Sequence, residues 1–155
     1  MRHRLYYHIV WTTRDRAQLI DDGLATFLCR FLRSVARQER AHILEIGMVA
    51  THLHILIRTH PTTDIPRLLQ RMKGGSSAVA GKEHHSNTNR VLKWSKGYSI
   101  TTIGPRSLEG LREYLRSQPA RHPSEQIPGW KGDAAEYEIA GQEQWVGSDR
   151  TTFRR

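Results

Sequence analysis

The stretch Thr51-His52-Leu53-His54-Ile55-Leu56-Ile57-Arg58 is an apolar run of β-formers carrying two histidines one residue apart. Such a run predicts a strand, and in a strand alternate side chains project to opposite faces. His52 and His54 then share one face, while Leu53, Ile55 and Ile57 bury beneath them on the other. Two imidazoles side by side on a rigid support are suited to holding a metal ion, but ligand sets usually need a third group. The rest of the chain must supply a core for the apolar face and a further donor for the polar one.

The core is readily found. Residues 4–13 read as a first strand, with Tyr7, Ile9 and Trp11 on one face and Tyr6, His8 and Val10 on the other. Asp21 or Asp22 can cap a helix running to about Arg40, in which Leu24, Phe27, Leu28, Phe31, Leu32 and Val35 recur at helical spacing. A strand over Ile43 to Ala50 leads straight into the His52 strand, which predicts a hairpin around Ala50-Thr51 or a bulge. After Pro61, a helix from about Asp64 to Ala80 presents Ile65, Leu68, Leu69 and Met72, with Gly74-Gly75-Ser76-Ser77 as a soft middle that lets another backbone or a phosphate approach.

Lys82 to Arg90 is a polar loop, and Leu92 to Ile103 resumes β character. Ser107 can cap a short helix from Leu108 that Pro119 should end at Gln118. The order strand, helix, strand, strand, helix, strand, helix predicts an α+β domain: one antiparallel sheet in the ferredoxin-like manner, with helices packed on one face. Residues 1–122 form that domain, and 123–155 are a tail rich in Pro and Gly whose Trp130, Tyr137 and Trp145 should pack on this protomer or another.

Charge points to the partner. The 24 Lys and Arg against 15 Asp and Glu, in 155 residues, suggest a polyanion, and nucleic acid is the first candidate. No stretch approaches the roughly 18 apolar residues of a membrane span, and the N-terminus lacks the features of a signal peptide. The single cysteine, Cys29, lies in an apolar helical pattern and reads as core, which fits a reducing, cytoplasmic setting.

The short helix after Ser107 bears on the missing donor. Leu108, Leu111 and Leu115 form its apolar stripe, whereas Tyr114 and Gln118 emerge together on a neighbouring flank, about 40° apart by the helical step. An amide oxygen can ligate a hard divalent cation, and a deprotonated phenol is a nucleophile able to form a phosphoester. Taken alone, the pair fits better a Tyr packing at a helix edge beside an exposed Gln, which is the commoner arrangement.

In order and spacing these pieces resemble the IS200/IS605-type single-tyrosine transposases of the HUH endonuclease group, which includes the REP-associated tyrosine transposases. The matching elements are Tyr7-His8-Ile9-Val10-Trp11, Met48 through His54 with its His-hydrophobic-His motif, Leu68 through Ser77, Trp94-Ser95-Lys96-Gly97-Tyr98, and Tyr114-Leu115-Arg116-Ser117-Gln118. Leu115 stands where isoleucine is commoner. The resemblance implies that His52, His54 and Gln118 hold a divalent metal, Mg²⁺ or Mn²⁺, and that Tyr114 is the nucleophile. It further implies cleavage and rejoining of single-stranded DNA carrying a hairpin, through a 5′-phosphotyrosine, by a homodimer in which Tyr114 of one protomer can complete the site of the other.

Arg14, Arg16, Arg67, Arg71, Lys73, Lys82, Lys93 and Lys96 are candidates for phosphate contacts, with Trp94 or Tyr98 as base-stacking platforms. His8 can face the metal side, although a hydrogen-bonded structural role suits it better, and His84 and His85 read as solvated loop residues. The main rival reading is a non-catalytic nucleic-acid binder with an RNA-recognition-like sheet. It lacks the expected glycine- and aromatic-rich strands and has no use for the His, Tyr and Gln set. A two-histidine phosphoesterase would need two His-x-Ser/Thr elements on strands, and His84-x-Ser86 lies in a polar loop.

Overall fold

The computed structural model describes residues 3–83, 86 and 90–133. Four strands, β1 (Leu5–Thr12), β2 (Ala41–Val49), β3 (His52–Thr59) and β4 (Ser99–Ile103), form one sheet in the order β2-β3-β1-β4, with every pairing antiparallel. Alternation in β1 and β3 is as the sequence predicts. Ile9, Trp11, Leu53, Ile55 and Ile57 join the core beneath the sheet, and His8, Val10, His52 and His54 share the opposite face.

Two long helices cover the core face. Helix α1 (Asp22–Gln38) starts at Asp21, whose carboxylate accepts from the Leu24 N–H at 2.9 Å, and it buries Leu24, Phe27, Leu28, Leu32 and Val35. Helix α2 (Ile65–Glu83) buries Leu68, Leu69 and Met72 and runs unbroken through Gly74-Gly75. A Cβ at Gly75 would stand 3.2 Å from the Phe31 ring of α1, so this glycine serves helix packing rather than approach by a phosphate. Cys29 is buried in the same core.

The segment between α2 and the last strand contributes less strand than its composition suggests. Only Ser99–Ile103 pairs fully, and Trp94 makes an isolated bridge to Thr13. The Trp94 indole N–H donates to Ser76 Oγ at 3.0 Å, and its ring meets Trp11 edge-on at 5.8 Å, so packing rather than pairing positions it.

On the polar face lies a further layer, α3 (Leu108–Arg116), packed across β2. The helix does not continue to Gln118 but breaks at Ser117 and restarts as α4 (Gln118–Arg121), with Pro119 in its first turn where no amide hydrogen is needed. The chain then returns along its own domain. Ile127 enters the core, Trp130 packs against it, and the buried Asp133 carboxylate accepts from Arg33 Nε at 2.9 Å while Arg33 also donates to the Ile43 carbonyl. Residues 123–133 therefore pack on this chain. Tyr137, Trp145, His84 and His85 lie outside the described residues.

The β2–β3 hairpin turns through Ala50-Thr51, pairing Val49 with His52. Two-residue hairpins favour residues with positive φ, yet neither Ala50 nor Thr51 is among the positive-φ residues. The turn is instead held from outside. The Ala50 carbonyl accepts from the Leu19 and Ile20 amides, the Thr51 carbonyl accepts from the Thr13 amide, and the Ala50 amide donates to the Glu125 carbonyl.

At the start of β2, His42 is 8% exposed, and its pKa is held down to about 3 by burial first and then by Arg33, Arg58, Arg37 and Arg112. The unfolded chain takes up this proton near pH 6.5, whereas the native protein resists it until about pH 3. His42 thus contributes stability fully above pH 6.5 that is lost as pH falls towards 3, with a slope approaching about 1.4 kcal/mol per pH unit. Urea midpoints at several pH values between 7 and 4 should fall more gently for His42→Gln than for the unmodified chain. Parallel slopes would refute this role.

Candidate active site

His52 and His54 project from β3 onto the polar face, 5% and 7% exposed, with ring centroids 5.2 Å apart. On β2, Gly47 lies opposite His54. A Cβ there would overlap the Leu115 carbonyl oxygen and stand 2.9 Å from Leu115 Cα, so the absence of a side chain lets the α3 backbone rest on the sheet. Glu45, fully buried, adds an electrostatic clamp. Its Oε1 accepts from Arg112 Nε at 3.4 Å and lies 3.0 Å from Arg116 NH2, both on α3. Leu115, fully buried, anchors the same helix.

So seated, α3 and α4 deliver Tyr114 and Gln118 to the histidines. The Tyr114 ring lies edge-on to His54 with centroids 5.6 Å apart. Gln118, fully buried, donates from its amide nitrogen to the Tyr114 carbonyl at 3.4 Å, which turns Oε1 to within 3.3 Å of His52 Nε2. The helix break at Ser117 therefore does not separate the two side chains that the sequence places on one flank.

The donor set suits a hard divalent cation. Adjacent ligands at about 2.1–2.2 Å from an ion in roughly octahedral geometry lie about 3.0 Å apart, close to the 3.3 Å between His52 Nε2 and Gln118 Oε1. Among the described residues no three His, Cys, Asp or Glu side chains cluster for metal binding, so the third protein donor would be this amide. Burial lowers the pKa of His52, and it lowers that of His54 to about 3 with help from the neighbouring His52 and His8. In both rings burial favours the neutral form, the form a ligand must take.

His8 is on this face and belongs to the constellation. Its Nε2 lies 2.9 Å from His54 Nδ1, with the rings stacked at 5.2 Å, leaving His54 Nε2 as the nitrogen for a ligand. Three further residues are not singled out by the sequence. Arg121 holds its guanidinium 4.7 Å from the Tyr114 ring centroid, the His122 ring meets His52 edge-on at 4.9 Å, and Glu125 contacts Thr51 at 2.7 Å. Arg121 and His122 follow Gln118 within about one turn, so helical spacing alone could have flagged them.

The basic candidates divide. Arg14, Arg16 and Lys93 are exposed near the hairpin turn: the Arg14 amide donates to the Lys93 carbonyl, and Arg16 lies 3.9 Å from Glu125. Arg67 and Arg71 lie on α2, which packs on the core face, and both engage Glu39, at 3.0 and 2.7 Å. Lys73 donates to the Gly97 carbonyl, while Lys82 and Lys96 are exposed. Trp94 is committed to packing, whereas Tyr98 is 49% exposed.

Comparison with known proteins bears on the same elements. A sequence model of the IS200-like transposases matches residues 1–118. The ISDra2 transposase TnpA of Deinococcus radiodurans is 25% identical over 119 residues, covering 75% of this chain and 85% of that protein. Two solved structures share the fold. One is a transposase from Deinococcus radiodurans R1, with TM-score 0.59, 23% identity, and coverage of 76% of this chain and 93% of the other. The second is a REP-associated tyrosine transposase bound to a REP hairpin, with TM-score 0.62, 14% identity, and coverage of 84% and 72%. The antiparallel α+β architecture is thus that of the HUH transposases. With a family match that runs from the first strand to Gln118 and takes in the histidine pair and Tyr114, the chain belongs to the IS200-like transposases.

Proposed function

We propose that this transposase cleaves and rejoins single-stranded DNA by transesterification, with Tyr114 as nucleophile. The observation that supports this reading best is the convergence, within one chain, of a phenol, an amide and two neutral imidazoles. A non-catalytic binder has no need of that set.

Tyr114, deprotonated, attacks the scissile phosphorus. The new bond joins the phenolic oxygen to phosphorus as the bond from phosphorus to the 3′ oxygen breaks, and that oxygen leaves and takes up a proton. The products are a 5′-phosphotyrosine and a free 3′-hydroxyl. Attack by another 3′-hydroxyl reverses the step and joins new ends, and no external energy source is needed because one phosphoester replaces another. Arg121 places positive charge over the ring, where it offsets the negative charge of the phenolate. His52, His54 and Gln118 would hold Mg²⁺ or Mn²⁺, which when bound supplies Lewis-acid polarisation of the phosphate. Because all three donors are neutral, the cation keeps its full charge for the DNA.

The nucleic-acid partner in this reading is single-stranded DNA with a hairpin, by analogy with the REP-associated relative, which was solved bound to a REP hairpin. Arg14, Arg16 and Lys93, exposed beside the turn, would contact its phosphates. No helix among the described residues is long and apolar enough to cross a membrane.

Incubation with Mg²⁺ and labelled hairpin-bearing single strands should give a denaturant-resistant protein–DNA adduct and a free 3′-hydroxyl. Chelation should reduce adduct formation at least about tenfold, and Mn²⁺ should restore it. Cleavage undiminished in chelator would exclude the metal role. Failure to form an adduct across a panel of hairpin substrates would overturn the reading as a whole.

A further inference from the structure

Downstream of the segment matched by the family model, Glu125 reaches back to the hairpin turn that precedes His52. Its backbone carbonyl accepts from the Ala50 amide at 2.7 Å, and its side-chain Oε1 accepts from Thr51 Oγ1 at 2.7 Å. The residue is therefore fixed at two points. Thr51 is 2% exposed, and its Oγ1 also lies 3.0 Å from His52 Nδ1. These contacts form a continuous chain from carboxylate to hydroxyl to imidazole, whose far nitrogen faces Gln118 Oε1.

The direction of that chain follows from donor and acceptor inventory. A carboxylate has no proton to give, so the single hydroxyl hydrogen of Thr51 is committed to Glu125. Towards His52 the hydroxyl can then act only as an acceptor. His52 Nδ1 must carry the ring proton, and a neutral imidazole protonated there has its lone pair on Nε2. The opposite tautomer would leave a lone pair on Nδ1 facing a hydroxyl with no hydrogen to offer.

We infer that Glu125, acting through Thr51, is a positioning residue that locks His52 in the tautomer whose Nε2 is free to bind a cation. This inference rests on the reading of His52 as a ligand. One consequence follows for the site. With the proton on Nδ1, His52 Nε2 and Gln118 Oε1 are two acceptors 3.3 Å apart, a mutually repulsive pair unless positive charge lies between them. The relay thus sets the site for a cation at the expense of a direct His–Gln hydrogen bond. His122 steadies the same carboxylate from its other oxygen, with Nδ1 3.3 Å from Glu125 Oε2.

The test reads the proton itself. Long-range ¹H–¹⁵N correlation spectra of histidine-labelled protein, taken without metal, should show His52 with its proton on Nδ1. Glu125→Gln keeps the shape but adds amide hydrogens that can donate to Thr51, freeing the hydroxyl hydrogen to turn towards His52. This variant should shift His52 towards the Nε2-protonated form. Thr51→Val should do the same, and Thr51→Ser should restore the Nδ1 form. Mn²⁺ affinity, measured by electron paramagnetic resonance, should fall about tenfold or more in Glu125→Gln and Thr51→Val and recover in Thr51→Ser.

An Nε2-protonated His52 in the unmodified protein would overturn the inference without any variant having to fold. So would an unchanged tautomer and affinity in Glu125→Gln. Because neither measurement involves DNA, their failure is distinguishable from a failure of the cleavage reaction.

Discussion

Tyr114→Phe is expected to bind hairpin DNA as the unmodified protein does and to form no covalent adduct, with strand cleavage reduced at least about a thousandfold. The substitution removes one oxygen atom. The ring that meets His54 and lies beneath Arg121 remains, so packing of α3 and the neighbouring imidazoles should be preserved. In the proposed reading phosphate contacts carry the binding, which should be unaffected, and this separates loss of chemistry from loss of the complex. Single-turnover cleavage with end-labelled DNA measures the effect, and an undiminished adduct would show that another residue attacks.

The same variant resolves which protomer supplies the nucleophile. One chain brings Tyr114 to its own His54, so a mixture of Tyr114→Phe and His54→Ala proteins should remain inactive. Each site in the mixture would lack either the phenol or the imidazole. Activity recovered on mixing would show that two copies exchange their tyrosine helices.

Gly47→Ala should be the most damaging substitution that touches no reacting group. The added methyl group would overlap the Leu115 carbonyl oxygen and stand 2.8 Å from its carbonyl carbon. These are backbone atoms, so no rotamer change relieves the clash. Either the fold absorbs about 1–3 kcal/mol of overpacking or α3 lifts from the sheet. Lifting carries Tyr114 and Gln118 away from the histidines, and a displacement near 1 Å can cost about a hundredfold in rate. Chemical denaturation together with single-turnover cleavage would detect both responses. Unaltered stability and rate would mean that α3 is not seated on Gly47.

How much of this is legible in the sequence follows from the range of each interaction. Strand alternation places His52 and His54 on one face, and helical spacing places Tyr114 beside Gln118, because both are local geometry. The apolar stripes of α1 and α2 are legible for the same reason. Gly47 and Glu45 are not, since a missing side chain and a buried carboxylate acquire meaning only when α3 arrives from sixty or more residues away. Composition suggests Trp94 as a platform for bases, yet it donates to Ser76 and packs on Trp11, partners that no spacing rule connects. Pro119 reads as a stop, although proline is equally at home in the first turn of a new helix. Only the family resemblance joins the two halves of the site without any geometry.

The hairpin turn at Ala50-Thr51 has a bearing on how the protein assembles. Hairpins with a self-sufficient turn can close in about 1–10 μs from local sequence alone. Here the supports come from Thr13, Leu19-Ile20 and Glu125, so the loop entropy of bringing distant segments together must be overcome before the turn is secure. The histidine pair is therefore expected to reach its final geometry only once those segments have docked, rather than from local sequence alone. A chain still emerging during synthesis, with Glu125 not yet made, lacks one of the supports of the turn that precedes His52.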